Sequence, residues 1–240
     1  MSDFLIQKTD ELNIERLIVL EQLKKEHLIH TYKEVVSAED APKGYLPIGT
    51  IPFVEQYLGI RETPIEIPVY LQTEEFLKRS YRIEKSTNLP KQGRYFLKNA
   101  SKLKDFTLLT DLYNLSFYDI NLTDNDYYVV SEEYDIESEY RIYVFDNKIE
   151  SIAHYNGNPC ILPDIALIEK AVLLISYNEK YLKSYTIDVM VGKRGTALIE
   201  IHNFTSVGLY TTIFGTNLLY AYRDGIEYLR KDNSIKYVNC

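Results

Sequence analysis

Short stretches of this chain alternate apolar with polar residues, and others repeat apolar residues at helical spacing. "FLIQK" (4–8) reads as an opening strand. In "DELNIERLIVLEQLKKEHL", Leu12, Ile14, Leu17, Leu20 and Leu23 fall near a 3.6-residue period, which predicts an amphipathic helix. "IHTYKEVV" then alternates as a strand does. This β-α-β opening predicts a small α/β N-terminal domain, residues 1–72, with its boundary near Leu71. The proline-rich stretch 38–72 reads as loop with one short helix, "IPFVEQYL" (51–58). "TEEFLKRSYR" (73–82) predicts a helix whose Thr-x-Glu start falls one residue short of a capping box.

Strands dominate beyond that boundary. "RYFLKNA" (94–100) and "DYYVVSEEY" (126–134) read as single strands, and "EYRIYVFDNKIESIAHYN" (139–156) as a hairpin turning at Asp146-Asn147. "DIALIEKAVLLISYNEKYL" (164–182) reads as a helix opened by Asp164. A second hairpin, "SYTIDVMVGKRGTALIEIHNF" (184–204), precedes a helical stretch around 217–231. No internal repeat or low-complexity tract interrupts the pattern, and the fold class expected is α+β.

Composition narrows the function classes. The 240 residues suffice for one large domain or two small ones. A net charge of -8 argues against whole-surface attraction to nucleic acid or anionic membrane, so neither is expected as a partner. Two cysteines are too few for a disulfide framework or a structural zinc site and suit a reducing compartment. The N-terminus lacks a basic-then-apolar signal pattern, and no apolar run nears the roughly 18 residues of a membrane span. A cytoplasmic location is expected.

The second hairpin carries the candidate chemistry. A three-residue loop, Lys193-Arg194-Gly195, with Gly195 in the left-handed position, would pair Gly192 with Thr196 and set Asp188 opposite Glu200. Thr186 and His202 would share that face, with Ile187, Val189, Ile199 and Ile201 on the other. A two-residue turn would slip the register by one and separate the acids. Two carboxylates that close repel unless protonated or bridged by a cation, and such oxygen donors suit magnesium. Both acids could equally be solvating the open face of a sheet.

Four stretches together resemble the ATP-grasp superfamily, in particular its compact clade common in phage genomes, over about residues 73–230. The resemblance implies two α+β lobes clasping ATP, residues 73–130 and 131–240, after the small α/β domain. "YFLKNASKLKDF" supplies Lys98, which the resemblance aims at the nucleotide phosphates. Lys104-Asp105-Phe106 stands where a glycine-rich loop is usual, making Lys104 a further phosphate contact. "VVSEEYDIESEYRIYV" resembles the hinge that grips adenine. Glu132 and Glu139 would hold the nucleoside, and the backbone of Glu133, Tyr134 and Asp135 would face the adenine edge. Arg141 matches an arginine aimed at phosphate or substrate, with Arg82 a secondary candidate.

Asp188 and Glu200 match the family's metal ligands, but His202 stands where asparagine is usual and Asn203 follows it. Either residue could complete the site. The loop Ser206–Tyr210 would close the substrate side. The implied activity is ATP-dependent ligation of a small-molecule or peptide carboxylate to an amine or thiol, through an acylphosphate, with magnesium as the metal and manganese possible. The work is positioning and charge neutralisation, led by Arg141 and Lys104 at the reacting groups. Two rivals stand beside it. One is a non-catalytic nucleotide-binding module. The other is a metal-dependent nuclease, whose Asp…Glu-x-Lys signature Asp188…Glu200-Ile201-His202 misses by its lysine.

Overall fold

The structure, a computed structural model, describes residues 3–9, 13–26, 31–62, 65–102, 106–115, 122–123, 126–211 and 217–238. Its N-terminal part comprises β1 (Phe4–Gln7), α1 (Ile14–Lys25), β2 (Tyr32–Val35), β3 (Leu46–Ile48) and α2 (Ile51–Leu58). The three strands form a parallel sheet in the order β2-β1-β3. Asn13 caps α1 by accepting the Arg16 N–H. The buried face of that helix is Val19, Gln22 and Leu23, while Ile14 and Leu17 of the expected stripe are exposed. Apolar residues surround α1 on most sides, so periodicity alone does not select the face that packs. β3 lies within the stretch read as loop. Pro47 is tolerated there because β3 is an edge strand, where a missing N–H costs no ladder bond.

A second, antiparallel sheet follows from α3 (Glu74–Leu77), β4 (Tyr81–Lys85), β5 (Tyr95–Asn99), β6 (Thr107–Thr110), α4 (Leu112–Leu115) and β7 (Tyr127–Glu132). Its strand order is β4-β7-β5-β6. The helix expected over 73–82 lasts one turn. Thr73 makes no side-chain cap, Lys78 turns left-handed (φ 52°), and Tyr81–Lys85 pairs along β7. Sheet pairing overrides local helix propensity here.

The third sheet contains β8 (Ile136–Phe145), β9 (Lys148–Gly157), β10 (Tyr185–Gly192) and β11 (Gly195–Asn203), with α5 (Ile165–Asn178) and α6 (Leu218–Val238) after β9 and β11. Its antiparallel order is β11-β10-β8-β9. Asp146 (φ 44°) and Asn147 (φ 59°) make the two-residue turn of the first hairpin, at the predicted place. Asp164 caps α5 by accepting the Leu167 N–H.

α5 packs on one face of this sheet, over Ile142, Ile187, Val189, Leu198 and Ile201. The N-terminal sheet shares its core with α6, through Leu219, Tyr222, Ile226 and Leu229, and with Phe204. A smaller cluster around Leu97, Tyr128 and Val130 holds the central sheet. Only Glu133, Tyr134 and Asp135 separate β7 from β8, so this connection ties the two antiparallel sheets together beside the cleft between them. Among the described residues no helix is long and apolar enough to cross a membrane.

Candidate functional site

The β10–β11 hairpin sets the geometry. Its turn has two residues, Lys193-Arg194, and Gly192 pairs with Gly195 (φ 98°) rather than with Thr196. From that turn a regular ladder would set Asp188 opposite Ile199. A β-bulge intervenes: Val189 pairs with Leu198, and the next pair is Asp188 with Glu200. The acids therefore oppose each other as expected, for a different reason. The extra residue is Ile199, and it changes faces. Leu198 and Ile201 pack into the core under α5, whereas Ile199 joins Tyr134, Met190 and Ala197 on the cleft side. The expectation that Ile199 would share a face with Ile187, Val189 and Ile201 is corrected on this point.

Three adjoining cavities divide the cleft. At one end an apolar slot of about 160 Å³ lies among Phe96, Tyr134, Met190 and Ile199, rimmed by Glu132, Glu133, Glu139 and Arg79. A middle cavity of about 250 Å³ holds Lys98, Glu139, Asp188 and Glu200. Beyond the Lys98–Glu200 pair, a third of about 360 Å³ is lined by Arg141, His202, the 206–208 loop and Tyr210. Together they fall within the range of small-molecule sites.

Ion pairs organise the middle. Lys98 donates to Glu200. Burial pushes Glu200 upward, but the Lys98 charge and hydrogen bond outweigh it and leave the carboxyl below its ordinary value. Arg141 grips Asp188 with two bonds, Nε to Oδ1 at 2.8 Å and Nη2 to Oδ2 at 2.7 Å. Burial raises Asp188 above the usual carboxylate value, and Arg141 pulls it back only in part. Arg141 also donates to the Gly208 carbonyl (3.2 Å) and lies over Tyr155 and Tyr210, whose rings stack at 5.1 Å. Tyr143 fixes the same loop, donating to Gly208 O (2.7 Å) and accepting the Tyr210 N–H (2.9 Å).

The connection at the slot is pinned by the hairpin turn. The Tyr134 hydroxyl donates to Gly195 O (2.6 Å), and Arg194 donates to Glu133 O (2.7 Å) while covering the Tyr134 ring. Glu132 faces Arg194 at 3.4 Å, Glu133 faces Arg94 at 2.8 Å, and Asp135 faces Lys193 at 3.4 Å. Glu139 accepts from Asn156 (2.8 Å) at the junction of slot and middle cavity.

The structure thus gathers Lys98, Glu132, Glu133, Tyr134, Glu139, Arg141, Asp188, Glu200 and His202 along one cleft, with Asp135 at its rim. It does not bring two others there. Arg82 follows cleft-lining Tyr81 on β4, so it points to the opposite face, beside Glu84 and over the Tyr95 ring. Asn203 is buried, paired with Tyr185 and bonded to Thr205, so it is not the oxygen donor beside Glu200. Lys104 lies outside the described residues.

His202 does face the cleft, and burial holds its imidazole below the usual value. Its Nδ1 lies 3.8 Å from the fully buried carboxylate of Glu62. Sequence reasoning missed Arg79, Glu62 and Tyr155. Arg79 sits in a segment read as helix, and nothing local marks Glu62 as a neighbour of a strand so much later in the chain.

The donor chemistry fits a nucleotide better than a caged metal. Apolar walls next to carboxylates and cations suit a base, a ribose and phosphates in turn. Among the described residues no group of three acidic, histidine or cysteine side chains could hold a metal ion by itself. Asp188 and Glu200 still fit magnesium, which takes one or two carboxylates and completes its shell from phosphate and water.

No curated protein sequence matches this chain. Solved structures do. A D-cycloserine synthetase superposes with a TM-score of 0.57 at 12% identity, covering 95% of this chain and 100% of that one. D-alanine–D-alanine ligase from Bacillus anthracis gives 0.53 at 14%, covering 97% and 99%. The same enzyme complexed with ATP gives 0.50 at 14%, with the same coverage. Identities this low establish the fold alone, the ATP-grasp fold. The sequence itself goes further: residues 76–215, more than half of the chain, match the model of an ATP-grasp domain family, the second family of its clade, and the chain belongs to that family.

Proposed function

We propose that this protein is an ATP-dependent ligase that joins a carboxylate, of a small molecule or a peptide, to an amine, with a thiol as the alternative nucleophile. The observation that carries the reading is the order of groups along the cleft. An apolar slot flanked by Glu132 and Glu139 leads to Lys98, Asp188 and Glu200, and then to Arg141. Adenine belongs in the slot against the 133–135 backbone, the ribose beside Glu139, and the phosphates along Lys98. A carboxylate arriving from the Arg141 side attacks the γ-phosphorus and ADP leaves. The amine then attacks the acylphosphate carbon and expels phosphate. Lys98 and Arg141 hold and neutralise the reacting oxygens, and no side chain acts as nucleophile. Asp188 and Glu200, with His202 beside them, would hold magnesium or manganese, which supplies further charge neutralisation.

A non-catalytic nucleotide-binding module is the second reading. It is favoured by the pairing of both acids with cations and by histidine at position 202. Melting with and without Mg-ATP tests both. Nucleotide at 100-fold over its dissociation constant stabilises by about 2.7 kcal/mol, or roughly 5–11 °C for a chain this long. An unchanged melt at millimolar Mg-ATP would reject both readings. A shift without phosphate release from any pooled carboxylate and amine leaves the module.

A further inference from the structure

Arg79 is the strongest unexplained group in the molecule. It follows α3 and is only 8% exposed. Its guanidinium spans the cleft's two sheets: Nε donates to Ser131 Oγ on β7 (2.8 Å), and Nη1 donates to Leu198 O on β11 (2.9 Å) and Leu77 O (3.0 Å). Leu198 is the residue before the bulge, on the edge strand of its sheet. All these acceptors are neutral. Among the described residues no carboxylate lies within ion-pair distance of Arg79, and Nη2 donates to no group of the protein. Burial accordingly lowers the guanidinium to about 10.

A buried cation without a counter-charge is costly and is seldom kept unless something supplies the charge. The same side chain lines both the apolar slot and the middle cavity, and does not line the cavity around Arg141. We infer that Arg79 is an anion-binding residue of this site, its free Nη2 edge receiving the phosphate nearest the nucleoside. The position follows from the cleft's order. Arg79 stands where the slot opens toward Lys98, and a nucleotide with its base in the slot puts its α-phosphate at that junction. Because the other two guanidinium nitrogens are anchored on opposite sheets, the contact needs little side-chain ordering when ligand arrives. The inference rests on the nucleotide reading above.

The experiment compares adenosine, AMP, ADP and a non-hydrolysable ATP analogue by calorimetric titration. It uses the wild-type chain, Arg79→Met and Arg79→Gln. A charge-assisted bond to the α-phosphate predicts that wild-type protein binds AMP roughly ten to a hundred times more tightly than adenosine. In Arg79→Met that ratio falls to about 2 or less, while the ATP-analogue to ADP ratio holds, since Lys98 and Arg141 still meet the outer phosphates. Arg79→Gln keeps a donor for the carbonyls of Leu77 and Leu198 without the charge, and it decides the matter if Arg79→Met does not fold. An AMP to adenosine ratio unchanged in the folded variant, or affinity lost equally for all four ligands, would assign Arg79 a purely structural role and overturn the inference. Failure of wild-type protein to bind any of the four would instead reject the nucleotide reading itself.

Discussion

The Arg141–Asp188 pair is the most deeply desolvated ion pair of the cleft, with side chains 13% and 5% exposed. Removing one partner of such a pair leaves an uncompensated buried charge and costs about 3–5 kcal/mol. Arg141→Met leaves Asp188 facing Glu200 and Glu139, both of which already push its carboxyl upward. Asp188→Leu leaves Arg141 with only the Gly208 carbonyl and two tyrosine rings. Each variant should therefore unfold about 3–5 kcal/mol more easily, a fall of roughly 6–20 °C in melting temperature. Replacing both together removes the two charges at once, and packed apolar groups often serve such sites as well as the ions did. The double variant should cost less than either single one, so the coupling energy exceeds about 3 kcal/mol.

Urea unfolding of the four proteins at pH 7.5, followed by far-UV circular dichroism, measures that cycle. A pH series adds a second check. With its folded value raised above the unfolded one, Asp188 in Arg141→Met favours folding at pH below the unfolded value and disfavours it as pH rises through the folded value. The penalty in that variant should thus shrink on acidification toward pH 4. Single-variant costs below about 1 kcal/mol would mean that solvent screens the pair after all, and a double-variant cost equal to the sum of the singles would mean that the charges are not coupled. Either result refutes the reasoning.

Three further outcomes follow from the site's construction. His202 is held neutral by burial, with Lys98 and Arg141 adding to that effect, Glu200 opposing it and Glu62 lying 3.8 Å away. Its contribution to stability is complete above its unfolded value of 6.5 and lost as pH falls below it, so His202→Asn should flatten the pH 7.5 to 5.5 loss seen by urea midpoint, whereas Asn203→Ala should cost about 1 kcal/mol at either pH. A Cβ on Gly192 would sit 2.1 Å from Asp135 O, so Gly192→Ala should displace the 133–135 connection and weaken Mg-ATP binding, while Gly195→Ala, with open space around it, should cost only about 1 kcal/mol of stability and leave binding intact; equal affinities for the two variants would contradict this. Deleting Ile199 should straighten β11 yet keep Asp188 opposite Glu200, preserving the fold while reducing affinity for adenosine; a chain that no longer folds would show that the bulge, and not its side chain, is what the hairpin requires.

Periodicity reads well wherever one face of an element meets the core and the other meets solvent or cleft. β8, β9, β10 and α5 satisfy that condition, and their spans and caps agree closely with the pattern in the chain. It reads poorly where the burial is decided by a distant segment. α1 is apolar on most sides, and the contact with α6, at the other end of the chain, selects Val19 and Leu23 rather than Ile14 and Leu17. β4 is hidden by the same cause, since only pairing with β7 turns "YRIEK" into a strand. The choice of Arg82 over Arg79 inherits that error. In a helix the two lie on one face, but in the observed turn and strand Arg79 enters the cleft and Arg82 leaves it.

The hairpin shows how a right answer can rest on a wrong intermediate. Face alternation links the acids to the turn through a count of residues, and that count admits two solutions: a three-residue turn with a regular ladder, or a two-residue turn with one bulge. Both set Asp188 against Glu200, so the acid pair alone cannot distinguish them. They differ in where the extra residue sits. In the first it is spent in solvent at the tip, and Ile199 faces the core. In the second it is spent inside the strand, where two successive side chains, Ile199 and Glu200, point the same way. One lines the apolar slot and the other meets Lys98. A single insertion thereby places an apolar wall and a carboxylate side by side on one strand, at the boundary where a nucleotide changes from base to phosphate. The bulge also leaves Leu198 O toward Arg79, the group that ties this strand to the opposite sheet. The irregularity that local pattern could not specify is thus the element that joins the slot, the acids and the two sheets.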